Sequence, residues 1–289
     1  MKHWLAAFRL KTLPLALGAI ILGSSIDSSS FDWSIFFFAA LTAICLQVLS
    51  NLANDYGDFV KGTDKHRTDR QLAGGTITPK AMKSAIVILT LGSFLSGLYL
   101  LFISFGDELK YWIGFLGLGI ASIIAAITYT VGKKAYGYNG LGDLFVFVFF
   151  GLVGVLGTSF LFDQSIHWIN VLPAVAYGCL CMGVLNVNNI RDLNKDVLTN
   201  KITLAAKLGK SGAENYQKAL MTVALLCFVG FHFLAEKWSL APLGMVILGI
   251  LHIQKLIRAE NSSDYNAQLK LLSIGSLIIS IIFTAHFTI

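Results

Sequence analysis

Long apolar runs alternate with short polar segments along almost the whole chain. Nine runs stand out, at about 10–26, 34–52, 81–104, 111–131, 141–162, 168–188, 217–235, 238–257 and 269–288. A helix needs about 20 mostly apolar residues to cross a bilayer. The pattern therefore predicts an all-α fold, a polytopic membrane bundle of nine transmembrane helices. The first run is short and the fifth is rich in glycine, so their boundaries are the least sharply drawn. No internal change of composition divides the chain, and residues 1–289 are read as one integral-membrane domain.

Two of the runs end in acid-bearing stripes. After the run Ile35 to Leu49 come Asn51, Asn54, Asp55 and Asp58. On a helix these fall at i, i+3, i+4 and i+7, on one face. Asn188, Asp192 and Asp196 repeat the pattern at the end of the sixth run, with Asn189, Arg191 and Lys195 interleaved. Ionisable groups at the edge of a bilayer core are costly and point to a functional site facing the protein interior. Each stripe is followed by a basic loop. The first loop offers Lys61, Asp64, Lys65, His66, Arg67, Asp69 and Arg70; the second offers Lys201, Lys207 and Lys210. The first helix should stop near Gly62, and Pro79 should open the third span.

Composition agrees with the pattern. The chain is 55% hydrophobic and 13% charged, with a mean hydropathy of +0.70, too apolar for a soluble domain. Charge placement adds an orientation. With a cytoplasmic N-terminus, nine spans put segments 1–11, 53–83, 132–140, 189–218 and 255–270 in the cytoplasm, and these hold 20 of the 22 Lys and Arg residues. The positive-inside rule then predicts N-in, C-out, with both acidic stripes on the cytoplasmic side. The net charge of +6 follows from this asymmetry and does not signal nucleic-acid binding. Basic Met1 to Lys11, an apolar run and SSIDSSS resemble a signal peptide, but the long basic segment and Pro14 favour a retained first span. Cys45, Cys179, Cys181 and Cys227 all lie in apolar runs and read as packed core. The histidines form no metal-binding spacing.

Between the stripes, the fourth run ends in Tyr129-Thr130-Val131-Gly132-Lys133-Lys134. Tyr129 and Lys133 share a face, consistent with an interface tyrosine and a snorkelling lysine or with a phosphate-binding pair. AYGYNGLGD, Ala135 to Asp143, reads as a tight turn, with Asp143 as a helix cap. In the fifth run Gly151, Gly154 and Gly157 permit close helix contact, and its phenylalanines wall either a core or a tunnel. Runs seven to nine carry few polar residues and read as scaffold.

Carboxylates on two helices with nearby cations suit one chemistry. Mg²⁺ binds through a few carboxylates and the oxygens of a substrate phosphate, while Lys and Arg hold the remaining phosphate charge. In a membrane protein the matching substrate has a diphosphate head and a hydrocarbon tail, as in a polyprenyl diphosphate. Metal would assist departure of diphosphate, an apolar site would exclude water, and aromatic faces would stabilise an allylic cation. An ion-coupled transporter is the rival from another class, but its acids would sit at broken helices near the midplane.

NLANDYGD, the YTVGK of Tyr129 to Lys133, and NNIRDLNKD resemble the UbiA superfamily of intramembrane aromatic prenyltransferases. RLKTLPLALG, NLANDYGDFVKGTD, YTVGKKAYGYNGLGD and NNIRDLNKD followed by KITLAAKLG are most similar to its branch that prenylates 1,4-dihydroxy-2-naphthoate in menaquinone biosynthesis. The motif NDxxDxxxD is matched by Asn54, Asp55 and Asp58, but its last Asp falls on Gly62, with Asp64 two residues on. DxxxD is matched by Asp192 and Asp196, and YxxxK by Tyr129 and Lys133.

The resemblance implies transfer of a polyprenyl group to 1,4-dihydroxy-2-naphthoate, with loss of diphosphate and CO₂, in the cell (inner) membrane with the site facing the cytoplasm. It leaves 4-hydroxybenzoate or homogentisate as alternative acceptors. It implies Mg²⁺ held by Asp55, Asp58, Asp192 and Asp196, with Asp64 as a candidate further ligand and Asn54 and Asn188 in support. Lys61, Lys133, Arg191 and Lys201 are implied at the diphosphate, and Tyr129 near the allylic cation. Arg67 and Arg70 are further substrate-binding candidates. For the acceptor carboxylate, Lys134 and Arg67 are both available and nothing in the sequence selects between them.

Overall fold

A computed structural model describes residues 2–26, 31–64 and 70–287. The elements are helices joined by short turns, with no strand among the described residues. The first span is broken. Helix α1 (Lys2–Ala7) meets α2 (Leu13–Gly23) through a 3-10 turn at Leu10–Thr12, and Arg9 takes a left-handed φ of 49° at the break. That conformation costs a non-glycine residue about 1–2 kcal/mol, so the surrounding contacts hold Arg9 there.

Helix α3 (Trp33–Lys61) starts where the Asp32 carboxylate accepts from the Ser34 and Ile35 amides, and it stops at Gly62, whose φ of 75° terminates it where the sequence predicts. Helix α4 (Pro79–Phe105) is capped by Thr78, which accepts from the Ala81 amide. Then come α5 (Leu109–Thr128), α6 (Gly142–Val146), a π-helical stretch Phe147–Gly157, and α7 (Thr158–Asp163). The last four helices are α8 (Val171–Leu198), α9 (Leu204–Ala235), α10 (Ala241–Ile257) and α11 (Ser262–Phe287).

Among the described residues, eight helical stretches are long and apolar enough to cross a membrane, and Ala241–Ile257 is a shorter ninth of 17 residues. At 1.5 Å per residue that ninth helix reaches about 25 Å against a core of about 30 Å. The short helix is thus the eighth in order and not the first. The first gains length from α1 across the break. In the fifth span, a Cβ on Gly151 would lie 2.7 Å from the Ala174 carbonyl oxygen, so glycine is needed for the close approach to α8.

Three apolar cores form among the described residues, the smallest joining Ala7 of α1, Val48 and Leu52 of α3 and Met82 of α4. Of the two larger ones, one joins α2, the π-helical stretch and α8 to α11; the other joins α2, α3, α4, α5 and α7. Helix α8 packs against α9, α11, α6 and the π-helical stretch, which makes it the centre of its half. Asp143 corrects an expectation. It lies inside the first turn of α6 and not at the cap, is buried, and accepts a 3.2 Å hydrogen bond from the Tyr216 hydroxyl.

Candidate diphosphate and prenyl site

Both acidic stripes stay helical to their ends, so their polar faces reach the same place. A small pocket of about 30 Å³ is lined by Asp58, Asp64, Asp192 and Asp196, by Arg9, Arg70, Lys195 and Lys201, and by Asn54, Tyr129 and Asn188. All four aspartates are buried. Opening from the same wall is a cavity of about 950 Å³, lined mostly by apolar side chains of α2 to α5 and the π-helical span. Arg9, Asn54, Arg70, Tyr129, Asn188, Asp192 and Lys195 border both spaces. The arrangement is a polar, charged head pocket that shares a wall with an apolar chamber.

The Asp58, Asp64 and Asp192 carboxylates are each held by a neighbour. Asp58 Oδ1 accepts a 2.7 Å hydrogen bond from the Tyr138 hydroxyl, and Asp58 Oδ2 lies 3.9 Å from Lys201 Nζ. Asp64 Oδ2 is 3.5 Å from Arg70 Nε, which brings Asp64 into the pocket that Gly62 cannot serve. Asp192 is gripped on both oxygens by Arg191, at 3.0 Å from Nε and 2.7 Å from Nη2. The Asp196 carbonyl accepts from the Lys201 amide at 2.8 Å, which folds the second basic loop over the pocket. Asn54 accepts from Arg9 Nη2 at 3.1 Å.

The phenols are arranged so that they stay protonated. Burial raises Tyr129, Tyr136 and Tyr138 above the ordinary phenol value, and the Asp58 charge pushes Tyr129 and Tyr138 further the same way. Tyr138 is therefore a hydrogen-bond donor to Asp58 throughout the working range. Tyr129 stands where the head pocket meets the apolar chamber and packs edge-on against Tyr136, which stacks on Phe145.

Some expected residues are not brought in. Lys133 is exposed and lines neither space, so the YxxxK spacing does not translate into a shared site. The chain leaves α5 at Thr128 and Gly132 takes a φ of 99°, so Tyr129 and Lys133 do not share a helical face. Lys61 is exposed, with its Nζ 3.7 Å from the centre of the Tyr138 ring. Asp55 is buried and lines the apolar chamber, not the head pocket. Arg191 also lines the chamber and is not among the head-pocket residues. Arg67 lies outside the described residues.

Other residues reach the site without a local signal of their role. In the sequence Arg9 reads only as an inside-positive charge, Tyr138 as part of a turn, and Lys195 as an interleaved cation. The scaffold reading of the last three spans is also corrected. Asn266 of α11 accepts from Arg191 Nη1 at 2.8 Å, and a buried chain Asn186–Gln217–His252–Gln268 links α8 to α11.

Among the described residues no three carboxylate, His or Cys side chains converge to form a metal site unaided. The donor set nonetheless suits Mg²⁺. Hard oxygens on two helices face one pocket, and such an ion completes its shell with water and phosphate oxygens.

Known proteins give the same picture. The chain is 42% identical to the 1,4-dihydroxy-2-naphthoate octaprenyltransferase of Haemophilus influenzae, over 98% of this chain and 95% of that one. It is 40% identical to the protein of that name in Escherichia coli, over 97% and 93%. A UbiA homolog from Aeropyrum pernix superposes with a TM-score of 0.68 at 17% identity, over 98% and 96% of the two chains. One from Archaeoglobus fulgidus, bound to GPP and Mg²⁺, gives 0.67 at 12% identity, over 99% and 100%. Residues 12–277 match the UbiA prenyltransferase family, and with its helical membrane bundle and paired acidic stripes the chain belongs to that family.

Proposed function

We propose that this protein transfers a polyprenyl group from a polyprenyl diphosphate to 1,4-dihydroxy-2-naphthoate, releasing diphosphate and CO₂ and giving demethylmenaquinol. The acceptor and donor rest on the relatives that carry this activity in their names at 40–42% identity over nearly the full chain. The observation that carries the chemistry is the shared wall, with a head pocket of four carboxylates and four cations on one side and an apolar chamber of about 950 Å³ on the other.

The diphosphate head would sit among Arg9, Arg70, Lys195 and Lys201, with the prenyl chain in the chamber. Asp58, Asp64, Asp192 and Asp196 would hold Mg²⁺, directly or through water, with Asp55, Asn54 and Asn188 supporting from the chamber side. Bound there, the metal supplies positive charge that makes diphosphate a better leaving group. The allylic C1–O bond breaks with its electron pair going to diphosphate. Tyr129, at the junction of head pocket and chamber, presents its ring to the developing cation. The ring carbon bearing the carboxylate attacks C1, and the C–CO₂⁻ pair returns to the ring as CO₂ departs, with no net proton change. The apolar wall keeps water from trapping the cation.

The whole chain, 1–289, acts as a single integral domain. The asymmetry of 20 Lys and Arg against 2 supports an N-terminus and a site on the cytoplasmic side of the inner membrane. Cysteine-accessibility labelling from each side of sealed vesicles tests that orientation. The activity test uses purified protein in nanodiscs with farnesyl diphosphate and 1,4-dihydroxy-2-naphthoate, with and without Mg²⁺. The expected product is a prenylated naphthoquinol lacking the carboxylate, formed only with metal. Product from 4-hydroxybenzoate or homogentisate instead would replace the acceptor; folded protein inert with every acceptor would overturn the reading.

A further inference from the structure

The large chamber has a second polar corner beside the head pocket. Lys11, Arg191, Ser262 and Asn266 line the chamber alone, and Asn188 lines both spaces. Among the described residues five cations line the chamber: Arg9, Lys11, Arg70, Arg191 and Lys195. Arg9, Arg70 and Lys195 also line the head pocket, where the diphosphate charge belongs. Lys11 also lines the chamber outside the head pocket, but it is exposed. Arg191 alone of the five combines a chamber position outside the head pocket with a fixed geometry, its side chain 8% exposed.

Its contacts explain that fixity. Arg191 Nε and Nη2 grip Asp192, Nη2 also donates to Asn188 Oδ1 at 2.8 Å, and Nη1 donates to Asn266 Oδ1 at 2.8 Å. These contacts use four of the five N–H groups of a guanidinium. One Nη1–H remains. Asn266 spends its oxygen on Arg191 Nη1, so its amide N–H₂ is not used in that contact. One donor on the cation and one on the side chain bonded to it match the two oxygens of a carboxylate. The corner lies next to Asp192, so a ring held there reaches toward the wall shared with the head pocket.

We infer that Arg191 and Asn266 form the subsite that binds the carboxylate of the aromatic acceptor and selects aromatic acids over simple phenols. This rests on the prenyl transfer proposed above and assigns one part of it. Arg191 is tied to Asp192, so occupancy of the acceptor subsite is coupled to the second acidic stripe. An acceptor carboxylate on Nη1 competes with no metal ligand, because the Asp192 oxygens are held by the other edge of the guanidinium.

The test separates binding from turnover. The full-length protein in nanodiscs, in EDTA and without diphosphate, is titrated calorimetrically with 1-hydroxy-2-naphthoate and with 1-naphthol. The wild type should bind the acid at least tenfold more tightly. Asn266→Asp keeps an oxygen for Arg191 but replaces the amide donor with a second carboxylate oxygen, and it should reduce that preference to threefold or less. In turnover it should raise the KM for 1,4-dihydroxy-2-naphthoate at least tenfold while the KM for farnesyl diphosphate stays within twofold. Arg191→Gln should abolish the preference as well.

A wild type with no preference for the acid overturns the inference. So does an Asn266→Asp protein that retains it, or one whose two KM values rise together. Failure of the wild type to prenylate 1,4-dihydroxy-2-naphthoate while the binding preference holds would instead strike the proposed function and leave the carboxylate subsite standing.

Discussion

Tyr138 offers the sharpest perturbation because one atom carries the effect. Its hydroxyl donates to Asp58 Oδ1 at 2.7 Å and meets the Thr63 hydroxyl at 2.9 Å. Its ring faces Lys61 Nζ at 3.7 Å and Lys201 Nζ at 5.3 Å. Tyr138→Phe removes the hydroxyl and keeps the ring face. A hydrogen bond to a charged group contributes about 1.5–3 kcal/mol net. If Asp58 must be aimed for the reaction, kcat/KM for farnesyl diphosphate should fall by about 10- to 150-fold, at 1.36 kcal/mol per tenfold. Tyr138→Leu should fall further, because the lysines then lose the ring as well. The assay is steady-state turnover at saturating acceptor over a range of Mg²⁺, with melting temperature followed in parallel. A Phe variant within twofold of wild type at every Mg²⁺ concentration, beside a crippled Leu variant, would refute the hydroxyl's role and assign Tyr138's contribution to its ring.

Three further outcomes are expected. Gly57 of α3 packs on Thr130, and a Cβ there would lie 2.5 Å from Thr130 Oγ1 and 2.7 Å from the Thr130 carbonyl carbon; Gly57→Val should cost about 1–3 kcal/mol, read as lower thermal stability in detergent. Lys201→Ala should lower kcat/KM at least tenfold because Lys201 lines the head pocket, whereas Lys133→Ala should remain within threefold of wild type because Lys133 lines neither space. His252 bridges Gln217 and Gln268 at 3.1 and 2.9 Å; His252→Ala should destabilise the bundle by about 1–3 kcal/mol for each buried group left unsatisfied, and a double-mutant cycle with Gln268→Ala should show coupling.

How much of this could be read from the residues alone depends on range. Apolar run length is a local property, so nine spans and the boundaries at Gly62 and Pro79 were legible. The acidic stripes were legible too, since Asp55 with Asp58 and Asp192 with Asp196, each pair on one face of an apolar helix, are too costly to bury without a ligand or partner to face. The spacing rule failed where the helix stopped. Tyr129 and Lys133 share a face only on a continuous helix, and α5 ends at Thr128. Asp143 looked like a cap because helix starts attract acids, but its partner Tyr216 lies 73 residues away. Arg9, Tyr138 and Asn266 were invisible for the same reason. Each becomes functional through a contact with a residue 45 to 80 positions distant, and no local pattern encodes such a pairing.

Charge balance in the head pocket leads to the last expectation. Asp58, Asp64, Asp192 and Asp196 oppose Arg9, Arg70, Lys195 and Lys201, so the formal charges of the lining cancel. A diphosphate entering alone would leave a surplus of negative charge in a buried site, and the carboxylates nearest it would repel it. A diphosphate that enters with Mg²⁺ leaves the site close to neutral. Metal and diphosphate should therefore bind with positive coupling, each raising the affinity of the other by the same factor. Calorimetric titration of inorganic diphosphate should give at least tenfold tighter binding with Mg²⁺ than in EDTA. Asp196→Asn removes one opposing charge and should shrink that factor by strengthening binding without metal while weakening binding with it. Equal affinity with and without Mg²⁺ would mean that the cations alone hold the head group, and that the buried aspartates serve the fold instead of the metal.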